Sequence, residues 1–124
     1  MKKLLTPLEL KVMNILWTIK SGFIKDIREN WDESPAPAYN TISTIVRILK
    51  DKKDYIAHKA YGRTHEYFPK VTKEDYQRQF LDNAVSNVFS GSLSSLVSTL
   101  VDQDEISTSE LDELRSILAN YEGK

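Results

Sequence analysis

The chain has 124 residues, 40% hydrophobic and 28% charged, which suffices for one larger domain or two small ones but not for two independent catalytic domains. It holds no cysteine, which excludes disulfides, thiolate metal sites and thiol catalysis, and no apolar run near the ~18–20 residues of a membrane span. The N-terminus has the charge of a signal peptide without its apolar stretch, so a cytoplasmic protein with no membrane insertion is expected.

Thr6-Pro7-Leu8-Glu9 predicts a helix start: Thr6 as cap, Pro7 in the first turn, Glu9 closing a capping box. Leu8, Val12, Ile15, Leu16 and Ile19 follow at helical spacing as a buried stripe, with Met13 and Trp17 at its margins. Ser21-Gly22 ends the helix, with Gly22 expected to take the left-handed turn. A short second helix spans Ile24 to Trp31, and Ser34-Pro35-Ala36-Pro37 is a rigid connector. A third helix runs from Tyr39 to Lys52, burying Ile42, Ile45, Val46 and Leu49. The period then switches to two: residues 55–60 and 65–68 read as strands about a tight turn at 61–64, and Pro69 closes the hairpin. From Thr72 onward the pattern is helical. Tyr76, Phe80, Ala84 and Val88 form one stripe, Ser90-Gly91-Ser92 breaks it, residues 93–101 form a short apolar helix, and Ser107 caps a last helix. The expected fold is mainly α with a small β-hairpin wing. A winged helix-turn-helix occupies residues 1–71 and a helical dimerisation domain residues 72–124.

The net charge of -1 hides an asymmetry that bears on function. Residues 1–73 carry 14 Lys/Arg against 8 Asp/Glu, whereas residues 74–124 carry 3 against 10. A basic module suits an anionic partner, and an acidic module suits another task. Helix, short helix, helix, hairpin is the order that places a third helix in the DNA major groove and a wing on the backbone. The outward face of that helix offers Asn40, Ser43, Thr44 and Arg47, residue types that read base edges: Asn on adenine, Arg on guanine, Thr through its hydroxyl or its methyl. Tyr39, Lys50, Lys52, Lys53, Lys59, Arg63 and Thr64 are the expected phosphate contacts. No catalytic constellation, metal site or cofactor motif emerges, so an enzyme is not expected. The rival is a winged-helix adaptor that uses the same surface against another protein.

Residues 93–101 are apolar on one side and uncharged on the other, and so small a helical module hides too little surface to stand alone. A second copy is the expected partner, with Phe80, Leu93, Leu96, Val97, Leu100, Leu111, Leu114 and Leu118 at the interface.

These residues together resemble the penicillinase-repressor family of bacterial regulators, the BlaI/MecI type, over nearly the whole chain. Leu8 to Trp17 is similar to the family's first helix, Asn40 to Leu49 to its recognition helix, Lys59 to Pro69 to its wing, and Leu93 to Val97 with Ser109 to Leu114 to its dimerisation helices. The resemblance implies a homodimer that binds an inverted-repeat operator in double-stranded DNA and represses genes of β-lactam resistance or a related stress response. It also implies a membrane sensor metalloprotease whose action ends in cleavage of the repressor. The matching bond is Thr99–Leu100, where the family's best-known members have Asn-Phe. The cysteine cluster of the copper-responsive branch is absent. Where the family usually has Lys-Gly before the wing, this chain has Lys52-Lys53-Asp54-Tyr55, and Asp54 is expected to supply the left-handed turn.

Overall fold

The computed structural model describes residues 4–87, 89, 91–103 and 106–122, with Leu118 and residues 120–122 described by their backbone alone. The expected Val88 of the fourth-helix stripe and the Ser90 of its break lie outside the described residues, as does the Leu118 side chain. The elements are α1 (Pro7–Ile19), α2 (Ile24–Glu29), α3 (Tyr39–Asp51), β1 (Ile56–Tyr61), β2 (Thr64–Pro69), α4 (Lys73–Asn87), α5 (Leu93–Asp102) and α6 (Thr108–Glu122). The order is the one the sequence predicts, and the mainly helical class with a two-stranded antiparallel hairpin holds.

Local chemistry sets the start of α1. The Glu9 N–H donates to the Thr6 hydroxyl at 3.3 Å and the Thr6 N–H to Glu9 Oε1 at 2.9 Å, a complete capping box. The buried row of α1 differs from the expected one. Val12, Met13 and Leu16 are fully enclosed and Glu9 is buried with them, whereas Leu8 stands 47% exposed. The stripe is thus rotated by about one residue, because α3 and the wing pack on the 9–12–13–16 row. The end of α1 also differs: Lys20, not Gly22, takes the positive φ, at 78°. Gly22 exchanges backbone hydrogen bonds with Tyr67 at 2.9 and 2.8 Å, adding a bridge to the hairpin. A Cβ there would meet Ile19 Cδ1 at 2.8 Å and Asp26 Cβ at 3.1 Å.

Two compact units divide the chain, residues 1–80 and 81–124. The core of the first joins α1, α2 and α3 through Leu16, Ile27, Ile42, Val46 and Leu49, and is closed below the wing by Tyr55 and Ile56. The expected division at 71/72 is where the wing runs into α4, while the compact units divide inside α4. Tyr76 explains the difference. Its ring packs against Trp17 and Tyr55, with centroids 6.0 and 5.9 Å apart, and its hydroxyl accepts the Leu5 N–H at 3.1 Å. Asp54 does adopt the left-handed backbone, at φ 60°, and it accepts Lys70 Nζ at 2.6 Å across the base of the wing.

In the second unit, Ser92 caps α5 by accepting the Ser95 N–H at 3.1 Å, and Ser107 caps α6 by accepting the Glu110 N–H at 3.2 Å. Among the described side chains of α5 and α6, none is fully buried. No helix among the described residues is long and apolar enough to cross a membrane.

Candidate nucleic-acid interface

The site begins with how α3 is placed. Ile42, Ile45, Val46 and Leu49 bury one face at i, i+3, i+4 and i+7, which fixes the rotation of the helix. The opposite face is therefore outward: Asn40, Thr44 and Arg47 are exposed, and Ser43 is half-buried beside them. The N-cap, Ala38, offers no side-chain acceptor, and no acidic residue lies in the first turn. The helix's own cap and first turn thus supply no anion to the positive end of its dipole.

Between α3, the start of α2 and the wing lies an open groove of about 650 Å³. Ser43, Arg47, Lys50 and Asp51 line it from α3, Lys25 from α2, and Arg63, Thr64, His65 and Tyr67 from the wing. Tyr39 stands at its edge, 54% exposed. Four of these side chains are cationic. The one carboxylate, Asp51, sits 3.3 Å from Lys50. Burial pushes the Tyr67 phenol up, with Tyr39 and Asp51 adding to the rise and Lys50 and Arg47 working against it. At the tip, the Thr64 hydroxyl donates to the Tyr61 carbonyl at 3.0 Å and steadies the turn at Gly62, whose φ is 63°.

Strand alternation sorts the wing into two faces. His58 and His65 share the face toward the groove, stacked with ring centroids 4.2 Å apart and planes 16° apart, and Tyr67 lies about 6 Å from each. The His58 imidazole is exposed, yet its pKa is lowered, first by partial desolvation and then by the charges of Lys50 and His65, with Asp51 opposing them. Lys59 stands on the other face, opposite Glu66, its ammonium 5.4 Å from the Tyr61 ring centroid. The structure does not bring Lys59 into the groove. Lys52 is exposed at the C-cap of α3.

Lys53 departs furthest from expectation. Instead of facing outward as a phosphate contact, its ammonium donates to Glu9 Oε1 at 2.5 Å and to the Leu4 carbonyl at 3.1 Å, inside the fold. Lys25 was missed from the sequence. Its position one residue after the buried Ile24, on the outward side of a short helix, is the only local signal it gives. Among the described residues no three His, Asp or Glu side chains come together as a metal site.

The residues expected at a subunit interface lie mostly in the second unit. Leu93 and Leu100 are exposed, and Leu96, Val97, Leu111 and Leu114 are half-buried. Phe80 is 53% exposed and belongs to the first unit, its ring 6.3 Å from that of Tyr76. Thr99 and Leu100 lie within α5, where the Thr99 hydroxyl donates to the Ser95 carbonyl at 2.9 Å.

Comparison with known proteins fits this arrangement. The family model described as penicillinase repressor matches residues 5–120. The methicillin resistance regulatory protein MecI of Staphylococcus aureus (strain N315) is 32% identical over 114 residues, covering 89% of each chain. The penicillinase repressor of Bacillus licheniformis is 26% identical over 127 residues, covering 100% of this chain and 98% of its own.

Proposed function

The chain belongs to the penicillinase repressor family of DNA-binding transcriptional repressors, and from that premise we propose that it acts as a cytoplasmic homodimer on an inverted-repeat operator. The observation that carries this reading is the groove in which Lys25, Arg47, Lys50 and Arg63 converge beside the exposed face of α3. A duplex offers two things to such a surface: a line of phosphates and, in the major groove, base edges. Asn40, Ser43, Thr44 and Arg47 read the edges. Lys25, Lys50 and Arg63 hold phosphates, with Tyr39, Lys52 and Thr64 at the margins. Lys59 meets backbone only from the outer side of the wing, and Lys53 takes no part.

The incompletely buried α5, uncharged before Asp102, supports a second copy as its cover. Two linked half-sites then bind far more tightly than two separate ones. The names of the relatives support genes of antibiotic resistance as the targets. Release by a membrane sensor metalloprotease, with cleavage at Thr99–Leu100, is the route that family membership supports.

Selection of bound duplexes from a random pool by the purified protein, at two salt concentrations, tests the reading. A two-fold inverted repeat is expected, with log affinity falling by about 0.9 per neutralised phosphate for each unit of log salt. Recovery of nothing above background at either salt concentration would replace this reading with that of a protein-binding adaptor.

A further inference from the structure

A threonine has two ways to read a base: its hydroxyl can donate or accept a hydrogen bond, and its methyl can pack on the C5-methyl of thymine. The structure distinguishes them at Thr44. The Thr44 hydroxyl donates to the Asn40 carbonyl at 2.9 Å, one turn back along α3, while the residue as a whole is exposed. Thr18 and Thr99 make the same bond, to Asn14 at 2.8 Å and to Ser95 at 2.9 Å. The bond is therefore a local property of a mid-helix threonine and does not depend on what surrounds α3.

Two consequences follow for the surface that Thr44 presents. Its one hydroxyl proton is already in use, so it has no donor for guanine N7 or O6, adenine N7 or thymine O4. Its oxygen keeps only an acceptor role toward an adenine or cytosine amine, which replacing thymine by deoxyuridine tells apart from a methyl contact. Its β-branch leaves χ1 little freedom, so engaging the oxygen with the preceding turn also fixes the methyl. Asn40 and Arg47, a turn to either side, carry the carboxamide and guanidinium donors that Thr44 lacks.

We infer that Thr44 is a specificity-determining residue that recognises a thymine through its methyl group, between hydrogen-bonded contacts from Asn40 and Arg47. The inference rests on the reading of α3 as the recognition helix. It adds which base Thr44 selects and by which atom.

The test uses the full-length protein and the operator recovered by selection, with each thymine replaced singly by deoxyuridine, which removes only the C5-methyl. One position in each half-site should bind about fourfold more weakly when so replaced, the value of one buried methyl group. Thr44→Val keeps the methyl and should bind more tightly than Thr44→Ser, with the deoxyuridine penalty retained. Thr44→Ser keeps the hydroxyl and should lose about fourfold per half-site, about sixteenfold on the two-fold thymine operator, and show no further loss on deoxyuridine. The exposed position lets both variants fold, which their thermal melts check.

Weak binding by Thr44→Val with full binding by Thr44→Ser would overturn the inference in favour of the hydroxyl. A deoxyuridine penalty unchanged in Thr44→Ser would assign the thymine to another residue. Either result would leave α3 as the reading helix, whereas failure of the wild type to select any sequence would remove that underlying reading as well.

Discussion

Glu9 shows how much one side chain can organise. It closes the capping box of α1, is 6% exposed, and receives Lys53 from the far end of α3. Burial works to raise its pKa. The Lys53 hydrogen bond and charge, with the Thr6 bonds, outweigh that and hold the carboxyl below 4.5. A carboxylate lowered in the folded state contributes stability that is fully present above its unfolded value and is lost as pH falls through its folded one. The wild type should therefore lose stability in acid below pH 4.5, and Glu9→Gln should lack that step while keeping the cap. At neutral pH, Glu9→Gln or Lys53→Met alone should cost about 3 kcal/mol, because each leaves a buried partner uncompensated. The double variant should cost less than the sum, as denaturant melts would show. The cap was legible because its partners lie three residues apart. The role of Lys53 was not: nothing within a helical turn marks it, and its partner is 44 positions away. Arg47 and Lys25 part company on the same scale. Arg47→Ala should cost about 1–3 kcal/mol on operator and relax specificity at one position, whereas Lys25→Ala should weaken all duplexes alike and reduce the salt slope by about 1. Titrations on operator and random duplex at several salt concentrations separate the two. Equal losses on both duplexes for Arg47→Ala would remove it from the base readers.

At the level of elements, patterns local to one segment could be read and choices between neighbouring patterns could not. α3 has one apolar row, so its buried and outward faces followed from spacing alone. α1 has two adjacent rows, and only the packing of α3 and the wing selects the one that buries Met13 and exposes Leu8. Gly22 was open to two uses for a similar reason. A helix stop and a backbone bridge to Tyr67 both favour glycine, and the bridge is set by a strand 45 residues away. The wing adds a pH response that only the strand pairing reveals. His58 and His65 stack on the groove face, and His58, though exposed, is held toward its neutral form by partial desolvation, by Lys50 and by His65, against Asp51. A phosphate in the groove opposes those cations and restores the proton. Operator affinity should therefore rise as pH falls through the imidazole range, with net proton uptake on binding. Calorimetry in two buffers of different ionisation enthalpy measures that uptake. His58→Gln should reduce it, and an unchanged uptake would place the proton elsewhere.

For the whole molecule the decisive fact is a second unit in which no described side chain of α5 or α6 is fully buried. It spans 44 residues, 81–124, and α5 has no fully buried side chain, with Leu93 57% and Leu100 38% exposed. A unit near the lower size limit for independent folding gains its missing burial most simply from an identical copy, since a two-fold axis sets the same apolar face against itself. The sequence disclosed the uncovered face, because α5 carries no charge before Asp102. It could not disclose which surface covers it, since that depends on a second chain and leaves no trace in local spacing. Leu96 lies half-buried on α5, and a charge there desolvates badly against any apolar partner. Leu96→Asp should therefore run as a monomer in light scattering, with the wild type expected to run as a dimer at the same concentration. Its α3 and wing are untouched, so half-site binding should persist while affinity for the full inverted repeat falls about 10²-fold or more, the loss of the effective concentration that linkage provides. A Leu96→Asp protein that stayed dimeric would move the interface off α5, and one that became monomeric yet kept full operator affinity would sever dimerisation from repression.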